Sequence, residues 1–374
     1  MHIIFAGGGT AGHINPAIAI AGYIRQRHPD AKISFIGNGT GMESKLAPQA
    51  GFDFYGINVA GFQRKISLKN IGRNLAAGVK MFTSTIEASR LLKELKPEMV
   101  VGTGGYVSGP VVSKAAKMRI PTVIQEQNAL PGVTTKMLAP MVNAVLLAMP
   151  EAKKYIKSKN PPIISGNPVR EELIQADRDE SRSKLGLDDR PLILSYGGSL
   201  GARKINEAIV GVMKWHNKDA KYYHYHATGK FGIKWMPQLL KESGVDLDNN
   251  PQIHLCEYIE NMSEVMAACD LVISRAGAIT LSEIQAKGKA SILIPSPNVS
   301  ENHQYHNAMA LVLRGAAIVV EEKDLTPKLL CDKIASILDN PQKREEMESA
   351  AKQGAILDSN AKIYKVIIGL LDKK

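Results

Sequence analysis

One five-residue glycine pattern occurs twice in the chain, each time between an apolar run and a helix-like run, and this repeat constrains the fold most. Gly8-Gly9-Thr10-Ala11-Gly12 follows HIIFA, and Gly197-Gly198-Ser199-Leu200-Gly201 follows PLILSY. A strand, a glycine turn and a helix start make the layout of a phosphate-binding loop. Its recurrence predicts two Rossmann-like domains in tandem, and 374 residues suffice for about two domains. Short apolar, often β-branched runs alternate with helical patterns along the chain: HIIFA, KISFIG, MVVG, PTVIQE, AVLLA and PPIISG, then PLILSYG, YYHYHATG, IHLCEY, LVISR, ASILIP and AIVV. Runs of this kind read as strands buried on both faces, so the predicted class is α/β with parallel sheets covered by helices. Gly and Pro punctuate the chain at GNPVREEL, which sets the junction near 166–173. The expected domains are 1–165 and 166–356, with a final helix over 357–374 packing back on the first. Ligands of such sheets bind at the carboxyl ends of the strands. Two domains facing across a cleft then place a donor on one side and an acceptor on the other, which suits group transfer.

Composition narrows the partners. The formal net charge of +11 favours an acidic partner: nucleic acid, an anionic membrane or a phosphorylated substrate. Aromatic residues are 5% and do not interleave with basic ones as in base-stacking surfaces, so nucleic acid is not expected. Met1 runs straight into the first strand, so no signal peptide is expected, and no apolar run approaches the about 18 residues of a membrane span. Cys256, Cys269 and Cys331 are odd in number and lack metal-ligand spacing, as expected of a reducing compartment.

The first loop fails two familiar tests. A P-loop needs Lys and Ser or Thr where His13 and Ile14 stand. Gly7, Gly9 and Gly12 fit GxGxxG, but a dinucleotide loop also wants an acid at the end of the second strand, and that strand ends in Asn38-Gly39-Thr40. His13 is left at the start of a helix, as a cap, a solvent-facing residue or a general base. GTGGYVSGP, 102–110, is an anion-binding turn or an ordinary βα turn, and Asn128 of EQN is a sugar contact or a turn cap. In SRAGAITLSE, 274–283, Gly277 opens a helix whose first turn suits a diphosphate, and Glu283 is an acceptor for ribose hydroxyls or a partner of the helix dipole. Arg170 suits phosphate bidentately, and Asn302-His303-Gln304 suits sugar hydroxyls. There is no DxD at a strand end and no HxxxH, so no metal is expected. Residues 62–82 are basic and apolar together. Leu75, Val79 and Phe82 share a helical face, with Lys69, Arg73 and Lys80 beside them, a pattern for a helix on an anionic bilayer or on the sheet.

GGGTAGHINPA, VVGTGGYVSGP, EQNALPG, GNPVR, YGGSLGA, CDLVISRAGAITLSE and HQYHNA occur in one order over nearly the whole chain. In this the sequence resembles glycosyltransferase family 28, and within it the MurG family of bacterial N-acetylglucosaminyltransferases that make lipid II. The resemblance implies a GT-B fold and no cofactor. It implies inverting transfer of N-acetylglucosamine from UDP-GlcNAc to the C4 hydroxyl of the muramoyl sugar in lipid I, undecaprenyl-diphospho-muramoyl-pentapeptide. The implied donor contacts are Thr10, Ala11, Gly12, Asn128, Arg170, Ser199, Ile259, Ala278, Ile279, Thr280, Leu281, Ser282, Glu283 and Gln304. Gly104, Gly105 and Tyr106 fall on the acceptor side, and His13 is the candidate base. Ala11, Gln125, Leu200 and His303 depart from the common family pattern. A lipid-linked acceptor fits the positive charge and a peripheral place on the anionic cytoplasmic face of the bacterial membrane, with 62–82 as the contact. The alternatives are another GT-B enzyme, such as a diacylglycerol glycosyltransferase or a UDP-GlcNAc 2-epimerase, or a non-catalytic nucleotide-sugar-binding adaptor.

Overall fold

The computed structural model describes residues 1–59 and 83–372. Backbone contacts divide the chain into two units, Met1–Pro168 with Asp358–Lys374, and Val169–Leu357. The first unit holds β1 (His2–Gly7), β2 (Lys32–Asn38), β3 (Asp53–Ile57), β4 (Met99–Gly104), β5 (Thr122–Glu126), β6 (Ala144–Leu147) and β7 (Ile163–Ile164). The second holds β8 (Leu192–Tyr196), β9 (Tyr223–Ala227), β10 (Ile253–Cys256), β11 (Leu271–Ser274), β12 (Ala290–Leu293) and β13 (Ala317–Val319). Every pairing is parallel. The spatial orders are β3-β2-β1-β4-β5-β6-β7 and β10-β9-β8-β11-β12-β13. Each is the doubly wound order, reversing direction beside its first strand, β1 or β8, and a ligand crevice opens at that reversal.

Each apolar run named above becomes a strand, and one strand was not foreseen. β3 is the edge of its sheet and carries Asp53, Gly56 and only partly covered rings, so it has no continuous apolar run. Alternation along the strands builds two cores in the first unit. Ile3 and Phe5 point to one face, where the helix Ala11–Arg27 and the final helix Ser359–Leu371 cover them with Ile20, Ile24, Ile363 and Ile367. Ile4 and Ala6 point to the other, beneath Val107 and Val111 of the helix Gly105–Lys117. The final helix is pinned at its start, where Ser359 Oγ donates to Asn167 O at 2.6 Å. In the second unit, Ile205, Ile209 and Met213 of the helix Arg203–Asn217 pack on Ile193 and Ile273.

Candidate active site

In the first unit the site forms where β1, β4 and β5 end. Thr10, in extended conformation, begins the helix Ala11–Arg27 without a side-chain cap, which places His13 in the first turn. Thr10 and Gly12 are exposed, and Ala11 and His13 are half-buried. His13 Nδ1 lies 3.1 Å from Thr103 O and 2.9 Å from Gln127 Oε1. Thr103 Oγ1 returns a bond to His13 O at 2.7 Å, so β4 grips this turn from both ends. The imidazole lies along the Gly104–Gly105 backbone. A Cβ on Gly104 would meet Nδ1 at 2.7 Å, and one on Gly105 would meet Gly8 O at 2.1 Å. Both glycines have positive φ, 100° and 76°, so two independent constraints exclude any other residue there.

The glycine loop itself is filled from inside. Glu43, 1% exposed, accepts from Gly9 N at 3.2 Å and Asn38 N at 2.9 Å. The Tyr106 ring lies on Gly9, and its hydroxyl accepts from Asn38 Nδ2 at 3.3 Å. The second strand itself ends at Asn38, before Gly39 and Thr40, without a carboxylate. A carboxylate does reach the loop, from five residues beyond Asn38, but it serves the loop's own amides. Asn128 is tied to Glu126, whose carboxylate accepts from Asn128 N at 3.1 Å and Nδ2 at 3.0 Å and also from Gly132 N and Thr135 Oγ1.

In the second unit the glycine loop is open. Ser199 is exposed, and a Cβ on Gly198 would meet nothing within 4 Å. The loop is anchored behind: Gly201 N donates to Gly198 O at 2.8 Å, and a Cβ on Gly201 would strike Thr228 O at 2.2 Å. After β11 the helix Ala278–Lys287 begins at Gly277, which has no side chain of its own with which to cap the helix. Ala278, Ile279, Thr280 and Ser282 are partly exposed, whereas the Leu281 side chain enters the core. Glu283 Oε1 is 3.5 Å from Arg170 Nη2. Burial pushes the Glu283 carboxyl above its ordinary range, and Arg170 pulls against that shift. Arg170 thus meets Glu283 directly. Gln304 Oε1 accepts from Ser296 N at 2.9 Å and holds the loop after β12, while Ile259 is buried after β10. Arg275, which sequence reasoning passed over inside its motif, binds Ile294 O and Pro295 O, both at 3.1 Å, and pairs with Glu322.

Thus Thr10 to His13, Gly104 to Tyr106 and Asn128 gather at the strand ends of the first unit. Arg170, Ser199, Ile259, Ala278 to Glu283 and Gln304 stand at those of the second, with Arg170 meeting Glu283 there. Lys69, Arg73, Leu75, Val79, Lys80 and Phe82 lie outside the described residues. Among the described residues no group of three His, Cys, Asp or Glu is placed to hold a metal, and no helix is long and apolar enough to cross a membrane. Besides Arg275, Glu43 and Gln127 are residues that sequence reasoning missed; each of these two acts on a segment far away in the chain.

Two doubly wound units, each with a glycine loop and polar groups at its strand ends, define the GT-B class. The model of the glycosyltransferase family 28 N-terminal domain matches residues 3–147, and that of the C-terminal domain matches residues 192–363. A protein of Acetivibrio thermocellus is 43% identical over 100% of this chain and 99% of its own length. One from Thermoanaerobacter sp. is 45% identical over 98% of this chain and 99% of its own. Both are named UDP-N-acetylglucosamine--N-acetylmuramyl-(pentapeptide) pyrophosphoryl-undecaprenol N-acetylglucosamine transferase. The crystal structure of Acinetobacter baumannii MurG superposes with a TM-score of 0.78 at 30% identity, covering 100% of this chain and 99% of that one. The calicheamicin glycosyltransferase CalG4 shares the fold alone, at 14% identity and a TM-score of 0.70, covering 99% of this chain and 98% of that one. The chain belongs to glycosyltransferase family 28 and is a glycosyltransferase.

Proposed function

We propose that the protein transfers N-acetylglucosamine from UDP-GlcNAc to the C4 hydroxyl of lipid I, with inversion, giving lipid II and UDP for peptidoglycan synthesis. The full-length likeness to relatives of that name supports the substrates. The observation that carries the chemistry is His13, whose Nδ1 is occupied by Thr103 O and Gln127 Oε1 while Nε2 has no protein partner among the described residues. Nε2 takes the proton of the acceptor hydroxyl as that oxygen attacks the anomeric carbon. Gly104, Gly105 and Tyr106 shape the acceptor side.

The second unit takes the donor. The start of the helix Ala278–Lys287, which follows Gly277, and the open Ser199 loop meet the diphosphate, and Arg170 neutralises the UDP that leaves. Glu283 accepts the ribose hydroxyls, Ile259 offers its backbone to uracil, and Gln304, Thr10, Ala11, Gly12 and Asn128 complete the sugar contacts. No metal takes part in this reading, because the departing charge meets amides and a guanidinium. The protein works peripherally on the cytoplasmic membrane face, with 62–82 against anionic lipid. No nucleic acid takes part.

UDP release from UDP-GlcNAc, with and without a short-chain lipid I analogue and in EDTA, tests this. Acceptor-dependent release in EDTA is expected. Release without acceptor points to an epimerase-like or hydrolytic enzyme, and tight donor binding with no release points to an adaptor.

A further inference from the structure

We infer that Gln127 is a positioning residue that locks His13 in the single tautomer able to act as a base. Gln127 is 2% exposed and lies 114 residues from His13 in sequence. Its amide has one possible orientation. Nε2 sits 2.9 Å from Thr103 O and 3.0 Å from Gln125 O, and a backbone carbonyl only accepts. The NH2 group therefore faces those two carbonyls. Turning the amide over would set its oxygen against both of them and leave each buried carbonyl without this donor.

The neighbouring amides enforce the same direction. Gln125 Nε2 donates to Asn167 Oδ1 at 3.1 Å, so Gln125 Oε1 faces Gln127 Nε2 and accepts from it. Asn167 Nδ2 in turn donates to Gln127 O at 3.2 Å. Three side chains, each at most 2% exposed, thus form a closed set of bonds with one sense of direction.

The consequence reaches His13. Gln127 Oε1 and Thr103 O are both acceptors, and both lie at Nδ1. Nδ1 must carry the hydrogen of the neutral ring, and Nε2 must carry the lone pair. The opposite tautomer would place a lone pair against two oxygens and leave Nε2 unable to accept a proton. Thr103 O alone favours the correct tautomer; Gln127 adds the second acceptor and blocks rotation of the ring away from β4.

That this lone pair serves catalysis rests on the proposed function; the tautomer does not. The first test is ¹⁵N NMR of histidine-labelled full-length protein, with His13 assigned by loss of its signal in His13→Gln. A ring protonated at Nδ1 with unprotonated Nε2 is expected, and a ring protonated at Nε2 overturns the inference without any test of activity. The second examines Gln127→Leu, which removes the acceptor at Nδ1 and keeps the bulk of the side chain. Gln127→Leu should mix the tautomers and lower kcat by about 10-fold or more while the UDP-GlcNAc dissociation constant stays unchanged. An unmixed tautomer and unchanged kcat in Gln127→Leu overturn the positioning role. If the tautomer is as inferred but His13→Ala turns over normally, the catalytic reading fails and the inference about the ring stands.

Discussion

The two glycine loops begin from one sequence pattern and end as opposite structures. The loop of the first unit is closed by its own protein: Glu43 takes the Gly9 amide, Tyr106 lies on Gly9, and His13 packs on Gly104 and Gly105. The loop of the second unit is fastened by Gly201 against Thr228 and by Lys230 N, which donates to Ser199 O at 3.1 Å, and Gly198 faces open space. A buried carboxyl group that takes a loop's amides orders the backbone; an open loop beside a helix start is free to take a phosphate. The glycines set the backbone path in both cases. What the path is for depends on side chains that arrive from elsewhere.

The largest expected effects divide this comparison by function. His13→Ala should lower turnover by about 10²-fold or more with the UDP-GlcNAc dissociation constant nearly unchanged. Glu283→Ala should instead weaken UDP-GlcNAc binding by about 10- to 100-fold, since it removes a charged acceptor from a buried position. Steady-state kinetics and calorimetric titration on the two variants check this. A donor-binding loss in the first, or none in the second, breaks the division of labour between the units.

The next effect separates the units by their response to acid. A line of buried hydrogen bonds runs through the second unit. His216 Nε2 meets His224 Nδ1 at 3.1 Å, and Ser195 Oγ joins His224 Nε2 to His226 Nδ1 at 2.7 Å each. His226 Nε2 meets Asn206 Oδ1 at 3.2 Å, and Asn206 Nδ2 donates to Thr228 O at 2.8 Å. Because Thr228 O only accepts, every hydrogen in the line points toward it, and His216 Nδ1 is left buried with no partner. Burial pushes His216 down to about 4 and His226 down to about 3, and pushes His224 down as well. Above the ordinary histidine value of 6.5 neither the folded nor the unfolded chain binds these protons, and stability is unaffected. As pH falls below 6.5 toward 4 the unfolded chain binds them and the fold does not, so each histidine destabilises the unit by about 1.4 kcal/mol per pH unit. Urea unfolding at pH 7 and pH 5 should show the second unit losing stability with acid, and His216→Phe should reduce that loss. A pH-independent midpoint would remove the line as its cause.

The smallest effect probes the loops themselves. Gly9 and Gly198 both have positive φ, 85° and 93°, so Gly→Ala at either costs about 1–2 kcal/mol in backbone strain. A Cβ on Gly9 would also lie 2.8 Å from the Tyr106 ring, while one on Gly198 meets nothing. Gly9→Ala should therefore lower the thermal midpoint more than Gly198→Ala. Equal losses would mean that Tyr106 yields easily and that the first loop is less closed than its contacts imply.

Much of this was legible in the sequence, for physical reasons that also explain what was not. Strands buried on both faces must be apolar throughout, so KISFIG and ASILIP announce themselves; β3, at an edge, is under no such demand. His13 was legible because it follows a glycine loop at a helix start, where little else fits the pattern. Glu43 was hidden because it reaches Gly9 only after β2 has returned to lie beside β1, 34 residues away. Gln127 was hidden beside Asn128, whose short amide seemed the natural sugar contact. Alternation along the chain sends Gln127 inward to the imidazole, while Asn128 is held by Glu126.

The final helix has a consequence for how the chain is made. Ile363 and Ile367 are fully buried members of the core beside β1, although the whole second unit is encoded before them. On the ribosome, the first sheet emerges with part of one apolar face uncovered beside the helix Ala11–Arg27 and must wait while Val169–Leu357 is translated. The amino-terminal unit is therefore the first to be synthesised and the last to be finished, and a fragment cut at Pro168 would lack a wall of its own core.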